Sequence, residues 1–249
     1  MTSTETTTTP RVAIVTGGSG GIGRAVAKKL AADGMQVLVH YSGGKDRADA
    51  VVEEIVAAGG VASAAKADVT DEHEVAELFD EVEKRFGGVD VVVHTAGIMP
   101  LSPLVDLKLD EFDRIHRINV RGTFAVDREA LRRMRAGGAL VNISTSVTKL
   151  QQTGYSAYAA SKGAVEAMTL ILAREMRGRD ITVNTVSPGP TDTPLFTDGK
   201  PQELIDRIAK QTPAERIGRP EDVAEVAAFL AGPGRWVNGQ IIHTNGGAI

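Results

Sequence analysis

Short apolar runs alternate with amphipathic helical segments along nearly the whole chain, and this alternation constrains the fold more than any other feature of the sequence. Several runs, such as VAIVT at residues 12–16, are apolar throughout rather than at every second residue. Continuous apolar strands are typical of a parallel sheet with both faces covered, because neither face then meets water. The pattern therefore predicts an α/β fold, with a doubly wound parallel sheet of about seven strands and helices on both faces.

The apolar runs and helical periods give explicit element boundaries. Strands are predicted at 11–16, 36–41, 61–67, 89–94, 139–144, 181–186 and 240–244. Helices are predicted at 22–32, 45–58, 71–86, 110–134, 155–177 and 221–230. No linker or repeat interrupts 11–249, so a single domain is predicted there. The threonine-rich residues 1–10 are predicted to be a disordered tail.

A polar segment at 194–219 is interrupted by Pro201 and Pro213. A long excursion near the carboxyl edge of a parallel sheet is typical of a substrate lid. Leu195 and Phe196 would either close over an apolar substrate or anchor a small core of the lid itself. The segment is therefore predicted to determine specificity, without indicating which substrate.

Composition excludes several classes of function. The 249 residues include no cysteine, which excludes disulfides, thiolate zinc sites and a cysteine nucleophile, and no metal ligands are assigned. A formal net charge of −4 argues against a nucleic-acid partner, and the basic run Arg132, Arg133 and Arg135 fits a solvated helix end. Because no run of 18 apolar residues occurs, no membrane span is expected. We expect a cytoplasmic protein.

A glycine-rich loop, TGGSGGIG at residues 16–23, lies between the first predicted strand and the first predicted helix. Glycines there let the backbone turn tightly and approach a pyrophosphate, which the helix N-terminus stabilises. The spacing is Gly-x-x-x-Gly-x-Gly rather than the more common Gly-x-Gly-x-x-Gly. This context predicts a Rossmann-type cofactor site with contacts from Gly17, Ser19, Gly21, Ile22 and Gly23.

The end of the second strand, Tyr41 and Ser42, carries no acid that would bind a ribose 2′-hydroxyl and repel a 2′-phosphate. NADP(H) is therefore the predicted cofactor, with NAD(H) left open. Ser42 and Lys45 are candidates for the phosphate and Arg47 a weaker one, although Lys45 could equally begin a solvated helix. Further along, Asp68 and Val69 would contact the adenine, or Asp68 would cap the next helix.

Tyr158 and Lys162 are four residues apart in the predicted helix 155–177, which places them on one face. A free phenol has a pKa near ~10, and a neighbouring ammonium lowers that value by favouring the phenolate. Tuned acid–base groups of this kind contribute about 10²–10⁴ in rate. This spacing alone would favour a pair on a helix surface, but in combination with the glycine-rich loop, the upstream hydroxyls and Asn119 it predicts proton transfer.

Taken together, these motifs identify the chain as similar to the ~250-residue type of short-chain dehydrogenase/reductase across residues 11–249. Within that family it most resembles the ketoacyl-carrier-protein reductases and polyhydroxynaphthalene reductases. The resemblance implies that Tyr158 protonates a carbonyl oxygen, that Lys162 lowers the pKa of Tyr158 and holds the nicotinamide ribose, and that Asn119 fixes a water in a proton relay. Further cofactor contacts are implied for Ala96, Gly97, Pro188, Gly189, Thr191 and Thr193.

Two positions depart from the family pattern. Where the family has Asn-Asn-Ala-Gly, this chain has His94 and Thr95 before Ala96, and the Thr95 hydroxyl can make only some of the hydrogen bonds of an amide. His94 is read as a strand-end residue without an acid–base role. For the substrate-orienting hydroxyl, counting back from Tyr158 favours Thr145, with Ser146 close behind and Ser144 third.

The sequence thus predicts an oxidoreductase that moves hydride between NADP(H) and a small-molecule carbonyl or secondary alcohol. A cofactor-binding sensor without turnover is the alternative, although binding alone would not require Tyr158, Lys162 and Asn119. An isomerase, epimerase or dehydratase that uses the cofactor transiently would typically carry a longer substrate domain. The resemblance also implies a homo-oligomer, either a tetramer or a dimer. Helices 110–134 and 155–177 would form one interface, and strand 240–244 with residues 245–249 the other.

Overall fold

Seven parallel strands form one sheet in the order β3-β2-β1-β4-β5-β6-β7 in a computed structural model that describes residues 10–249. The predicted tail, apart from Pro10, lies outside the described residues. The strands are β1 Val12–Thr16, β2 Gln36–Tyr41, β3 Val61–Lys66, β4 Val91–His94, β5 Ala139–Ile143, β6 Thr182–Pro188 and β7 Ile241–Thr244. The α/β sheet predicted from the apolar runs is confirmed, with each strand within a few residues of its predicted position.

Helices cover both faces of the sheet. They are α1 Gly21–Ala32, α2 Lys45–Ala57, α3 Glu72–Phe86, α4 Leu109–His116, α5 Gly122–Arg133, α6 Val147–Leu150, α7 Ser156–Glu175, α8 Pro194–Thr197, α9 Gln202–Gln211 and α10 Pro220–Ala231. On one face α1, α2 and α10 pack against Val15 and Val39. On the other, α3, α5 and the end of α7 pack against Ile14 and Leu38. Neighbouring residues of one strand enter opposite cores, which explains the continuous apolar runs.

The predicted helix 110–134 is interrupted by a π-helical turn, Arg117–Arg121, between α4 and α5. Single π-turns occur frequently at functional sites, because the extra residue redirects a side chain. Here the turn holds Asn119, which is completely buried. The sequence pattern did not indicate this interruption.

The predicted lid contains two helices, α8 and α9, rather than irregular chain. Its two ends are joined, because Gly218 N donates to Pro190 O at 2.8 Å and Asp192 N donates to Gly218 O at 2.8 Å. Ile205 is the buried apolar residue of α9, and Leu195 is half exposed. The predicted lid therefore begins and ends at neighbouring points of the structure, where backbone hydrogen bonds hold its two ends together.

The chain reverses its winding direction at β1, whose neighbours are β2 on one side and β4 on the other. In a doubly wound sheet, ligands bind in the crevice outside the carboxyl ends of the strands at such a switch point. Among the described helices, none is long and apolar enough to cross a membrane.

Candidate active site

A cleft of about 1480 Å³ lies at the carboxyl edge of the sheet. It brings together nearly all the residues predicted for the cofactor and the chemistry. Those that line it are Gly17, Ser19, Gly21, Ile22, Gly23, Tyr41, Ser42, Asp68, Val69, Ala96, Gly97, Thr145, Ser146, Tyr158, Lys162, Pro188, Gly189, Thr191 and Thr193. Two predicted residues, Asn119 and Lys45, do not line the cleft.

The glycine-rich loop follows β1 and leads directly into α1. Gly17 has φ +64°, and a Cβ there would lie 3.0 Å from the Ala96 backbone, so this position requires glycine. A Cβ on Gly21 would overlap Thr193, and one on Gly23 would overlap the Gly17 carbonyl. The first amides of α1 have no partners within the helix, as at every helix N-terminus. A bare backbone next to free helix amides fits a pyrophosphate group.

The end of β2 differs in detail from its prediction. Lys45 donates to Asp49 one helical turn later and faces away from the cleft. Arg47 lines the cleft instead, with its guanidinium group folded over the backbone of Gly44. Arg47 forms none of the ion pairs found among residues 10–249. Of the two basic residues considered at the start of α2, Arg47 and not Lys45 therefore lines the cleft.

Asp68 forms a turn of its own rather than a helix cap. Its Oδ1 accepts from Thr70 N at 2.8 Å, while Asp71 caps α3 by accepting from His73 N and Glu74 N. The alternative reading of Asp68 as the cap of this helix is therefore wrong. Asp68 and Val69 line the cleft, and Val69 packs against Gly122.

Thr95 substitutes for the expected amide by bracing the end of β1. Its hydroxyl donates to Thr16 O at 2.6 Å and lies against both Gly17 and Gly23. His94 is completely buried, with Nδ1 2.8 Å from Thr16 Oγ1, and burial lowers its pKa to about 3. A histidine that stays neutral and lies outside the cleft is not placed for acid–base chemistry, in agreement with its interpretation as a strand-end residue.

The three candidate hydroxyls after β5 point in different directions. Thr145 interacts with the Tyr158 phenol. Ser146 is buried, donates to Ser187 O at 3.2 Å and accepts from Asn245 Nδ2 at 3.1 Å. Ser144 donates to Glu166 Oε1 at 2.7 Å. The structure therefore places Thr145 beside Tyr158, and places Ser146 behind it as a support.

Lys162 and Asn119 both lie close to Gly97, on the side to which a Cβ would point. A Cβ on Gly97 would be 3.1 Å from Asn119 Oδ1 and 3.5 Å from Lys162 Nζ. Lys162 Nζ donates to Ile143 O at 2.8 Å. Asn119 Nδ2 donates to Ile98 O at 2.9 Å and to Ser161 Oγ at 3.0 Å, and its Oδ1 accepts from Ile98 N at 2.9 Å. Asn119 thus connects the segment that follows β4 to α7, and it does not itself line the cleft.

Burial dominates the ionisation of the predicted acid–base pair. It raises the pKa of the Tyr158 phenol well above its ordinary value, and the Thr145 hydroxyl partly opposes that rise. The sequence predicted the opposite direction, because it considered the neighbouring ammonium and not the desolvation. Burial also lowers the pKa of Lys162 to about 8. In this structure Tyr158 is therefore a neutral phenol at neutral pH.

The strand β6 ends at Pro188, and the segment after it forms the opposite wall. Gly189 N donates to Thr244 O at 3.0 Å, and Pro188 O accepts from Ser146 N at 2.8 Å. The Thr191 hydroxyl donates to Gly189 O at 2.9 Å. Thr193 then lies directly against Gly21 of the glycine-rich loop. These contacts bring the two ends of the predicted cofactor site together.

Beyond Tyr158 the cleft is lined by uncharged side chains, which sequence reasoning largely missed. They are Met99, Val147, Leu150, Gln152, Tyr155, Leu195 and Phe196. Tyr155 lies edge-on to Tyr158, with ring centroids 6.5 Å apart. Apart from Lys162, the charged residues of the cleft lie on α1, α2, α3 and α4, on the π-helical turn and at the end of β3. Tyr155, one helical turn before Tyr158, could have been found from spacing, whereas the others depend on how the loops fold.

Comparison with known proteins agrees with this geometry. The family model described as Enoyl-(Acyl carrier protein) reductase matches residues 17–248. A short-chain type dehydrogenase/reductase of Picea abies is 43% identical, over 96% of this chain and 92% of that protein. An Arabidopsis thaliana protein described as an NADPH-dependent aldehyde reductase-like protein, chloroplastic, is 41% identical over 96% and 94% of the two chains.

Two further relatives bear on the branch of the family and on the cofactor. A 3-oxoacyl-[acyl-carrier-protein] reductase of Staphylococcus epidermidis is 40% identical over 94% of this chain and 97% of that protein, as the resemblance to ketoacyl reductases led us to expect. The crystal structure of a short chain dehydrogenase from Burkholderia cenocepacia in complex with NADP superposes with a TM-score of 0.90. That protein is 40% identical, with 96% of this chain and 97% of the other covered.

Proposed function

The chain belongs to the short-chain dehydrogenase/reductase family, and from that membership we propose that it is an NADPH-dependent reductase of uncharged aldehydes and ketones. The observation that carries the proposal is the buried neutral phenol of Tyr158, next to Thr145 and at the border between the glycine-lined and the apolar parts of one cleft. A carbonyl oxygen takes up a proton when it is reduced, and the phenol of Tyr158 carries one at neutral pH.

The proposed role of each residue follows from its position relative to the cleft. When bound, the reduced nicotinamide supplies a hydride to the carbonyl carbon. Tyr158 donates its phenolic proton to the carbonyl oxygen, which becomes the alcohol hydroxyl. The Thr145 hydroxyl orients that oxygen. Lys162 stabilises the resulting phenolate while charged and would bind the nicotinamide ribose, and Asn119 would hold a water through which Tyr158 recovers its proton.

The proposed substrate class rests on the lining of the cleft beyond Tyr158. A carboxylate or phosphate buried there would lose its hydration without gaining a cationic partner among the uncharged side chains. The amide of Gln152 and the hydroxyl of Tyr155 could still accept or donate a hydrogen bond. An apolar or aromatic carbonyl compound therefore fits best.

The cofactor preference rests on Ser42 and Arg47 at the end of β2. With no acid facing the cleft at this position, a 2′-phosphate would meet a guanidinium group rather than a like charge. The relative from Arabidopsis thaliana is described as NADPH-dependent. We propose NADPH as the preferred cofactor, with weaker use of NADH.

We propose in addition that the protein assembles as a homotetramer, because it exposes large apolar side chains on two sets of elements. One carries Phe124 of α5 and Ile171 of α7, and the other carries Trp236 beside β7. A cytoplasmic location stays a prediction from the sequence.

The direct test is the loss of reduced-nicotinamide absorbance with NADPH and NADH in parallel. The substrates are ketones, β-ketoacyl thioesters, quinones and the matched pair benzaldehyde and 4-carboxybenzaldehyde. We expect turnover with NADPH and a strong preference for the uncharged aldehyde. Replacement of Tyr158→Phe should remove turnover while NADPH still binds.

Variants of the hydroxyl residues serve as internal controls. Thr145→Ala should lower kcat/KM by about 10²-fold, as loss of a group that orients the reacting oxygen does, and Thr145→Ser should retain most activity. Ser146→Ala should have a smaller effect. Tight NADPH binding without turnover of any carbonyl would overturn the proposal in favour of a sensor.

A further inference from the structure

His40, the penultimate residue of β2, lies directly beneath the first turn of the glycine-rich loop and is 1% exposed. Gly17 N donates to its ring Nδ1 at 3.1 Å, and Gly18 N donates to its backbone oxygen at 2.9 Å. One residue therefore accepts hydrogen bonds from two successive amides of the loop. The family resemblance assigned no role to this position.

The other ring nitrogen links the loop to the next strand connection. His40 Nε2 lies 2.9 Å from Ala67 O, the residue that precedes Asp68. Because Nδ1 accepts from Gly17, the proton of a neutral imidazole must be on Nε2, which then donates to Ala67 O. The ring thereby joins the part of the cleft predicted for the pyrophosphate to the part predicted for the adenine.

The position of this hydrogen bond makes it important for the shape of the loop. Gly17 has positive φ and is in close contact with Ala96 on its far side. His40 and Ala96 therefore hold the turn from two sides. Without an acceptor below it, the part-buried Gly17 amide would lose its partner, and the loop would shift to find another.

Only the neutral ring can make both contacts. A protonated ring would carry a hydrogen on Nδ1, which would then face the Gly17 N–H, donor against donor. Burial lowers the pKa of His40, although the carboxylates of Asp68 and Glu74 act in the other direction. His94 is a further titratable group that interacts with the ring, and burial holds it neutral.

We propose that His40 is a positioning residue for the cofactor. Its ring holds the Gly17 turn in the position that the pyrophosphate requires, and it connects this turn to Ala67 and Asp68. The inference rests on the proposed function, because the ligand is NADP(H). It adds a requirement for one particular hydrogen-bond acceptor at the end of β2.

Three substitutions separate the acceptor from the bulk of the ring. In His40→Asn the amide oxygen takes nearly the place of Nδ1, so Gly17 keeps its acceptor. In His40→Gln the polar group reaches the place of Nε2 instead, so Ala67 keeps a donor and Gly17 loses its acceptor. In His40→Leu a side chain of similar volume satisfies neither partner.

The dissociation constant of NADPH is measured by titration of nicotinamide fluorescence, with a thermal unfolding curve for each variant. We expect His40→Asn to bind within about threefold of the wild type, and His40→Gln and His40→Leu to bind at least about tenfold more weakly, as loss of one buried acceptor implies. With saturating NADPH, kcat should stay within about twofold in every folded variant, so that the effect lies in KM for the cofactor.

Two outcomes would overturn the proposal. In one, His40→Gln binds NADPH as tightly as the wild type. In the other, His40→Asn is as weak as His40→Gln although both unfold at the same temperature, which would mean that the acceptor is irrelevant. If the wild-type protein itself binds neither NADPH nor NADH, the proposed function fails and the role of His40 fails with it. Because His40→Asn and His40→Gln differ by one methylene, the comparison does not depend on His40→Leu folding.

Discussion

At the scale of single residues, burial determines the protonation states of the two predicted acid–base groups. Tyr158 is only 6% exposed and Lys162 only 4%. Desolvation favours the neutral form of each group, which raises the pKa of an acid and lowers that of an amine. The phenol consequently stays protonated at neutral pH while the amine approaches the range in which it titrates. The protonated phenol is the form that proton donation to a carbonyl requires, but its raised pKa makes it a weaker acid until a positive charge such as that of Lys162 stabilises the phenolate.

The pH dependence of reduction should report Lys162. Its pKa is lowered to about 8, so the ammonium is present below pH 8 and is lost as the pH rises through that value. Because Tyr158 stays protonated over this range, we expect kcat/KM to be level from pH 6 to about 8. Above that it should fall by about tenfold per pH unit, as loss of one essential proton requires. The measurement is the pH profile at saturating NADPH.

Lys162→Arg provides the control for that assignment. A guanidinium group does not titrate in this range, so whatever activity the variant retains should show no decline between pH 8 and 10. An unchanged alkaline decline in Lys162→Arg would assign the titration to another group. An increase in the rate of reduction above pH 8 in the wild type would contradict the requirement for the ammonium.

At the scale of secondary-structure elements, the sequence predicted the strands better than the connections. A strand such as β1 is buried on both faces, so its composition alone identifies it. The π-turn around Asn119 has no comparable signal in the local sequence. It depends on hydrogen bonds to Ile98 and Ser161, which come from distant parts of the chain. The short helices α8 and α9 were hidden for a similar reason, since their polar composition is also that of a loop.

The candidate site likewise contains residues that local sequence predicts and residues whose placement depends on distant parts of the chain. The residues of the glycine-rich loop and the pair Tyr158 and Lys162 were predictable, because their spacing within one element places them together. The choice between Thr145 and Ser146 depended on which hydroxyl Asn245 engages, and Asn245 is 99 residues further along the chain. The role of His40 likewise depends on contacts with β1 and β3 that no local pattern contains.

The beginning of α2 gives a test at this scale. Arg47 is in its first turn and faces the cleft, whereas Lys45, two residues earlier, is paired with Asp49. Replacement of Arg47→Ala should raise the dissociation constant of NADPH by about tenfold, since it removes one charge-assisted contact to a phosphate. The dissociation constant of NADH should not change, because NADH has no 2′-phosphate.

Lys45→Ala is the matched control, and we expect it to leave both dissociation constants within about twofold. Fluorescence titration with each cofactor measures all four values. An equal loss of affinity for NADPH and NADH in Arg47→Ala would mean that the residue shapes the loop rather than recognising the phosphate. A larger effect in Lys45→Ala than in Arg47→Ala would restore the assignment made from the sequence.

At the scale of the whole molecule, the sheet ends in β7, which pairs only with β6 in the described structure. An uncovered strand edge beside a fully exposed Trp236 is unusual in a monomer, because such edges readily pair with another chain. Phe124 on α5 and Ile171 on α7 are each 56% exposed as well. Exposed apolar surface of this kind is typical of an interface. Two independent surfaces on one chain would generate a tetramer.

Size-exclusion chromatography with light scattering should therefore give the mass of a tetramer for the wild type. The double variant Phe124→Glu with Ile171→Glu should give a dimer held by the β7 surface, and Trp236→Glu should give a dimer held by α5 and α7. A buried glutamate without a partner prevents each contact. Val56→Glu is the control, because Val56 is similarly exposed on α2 and far along the sheet from β7. If the wild type elutes as a monomer, or if Val56→Glu dissociates it as well, neither surface is the interface.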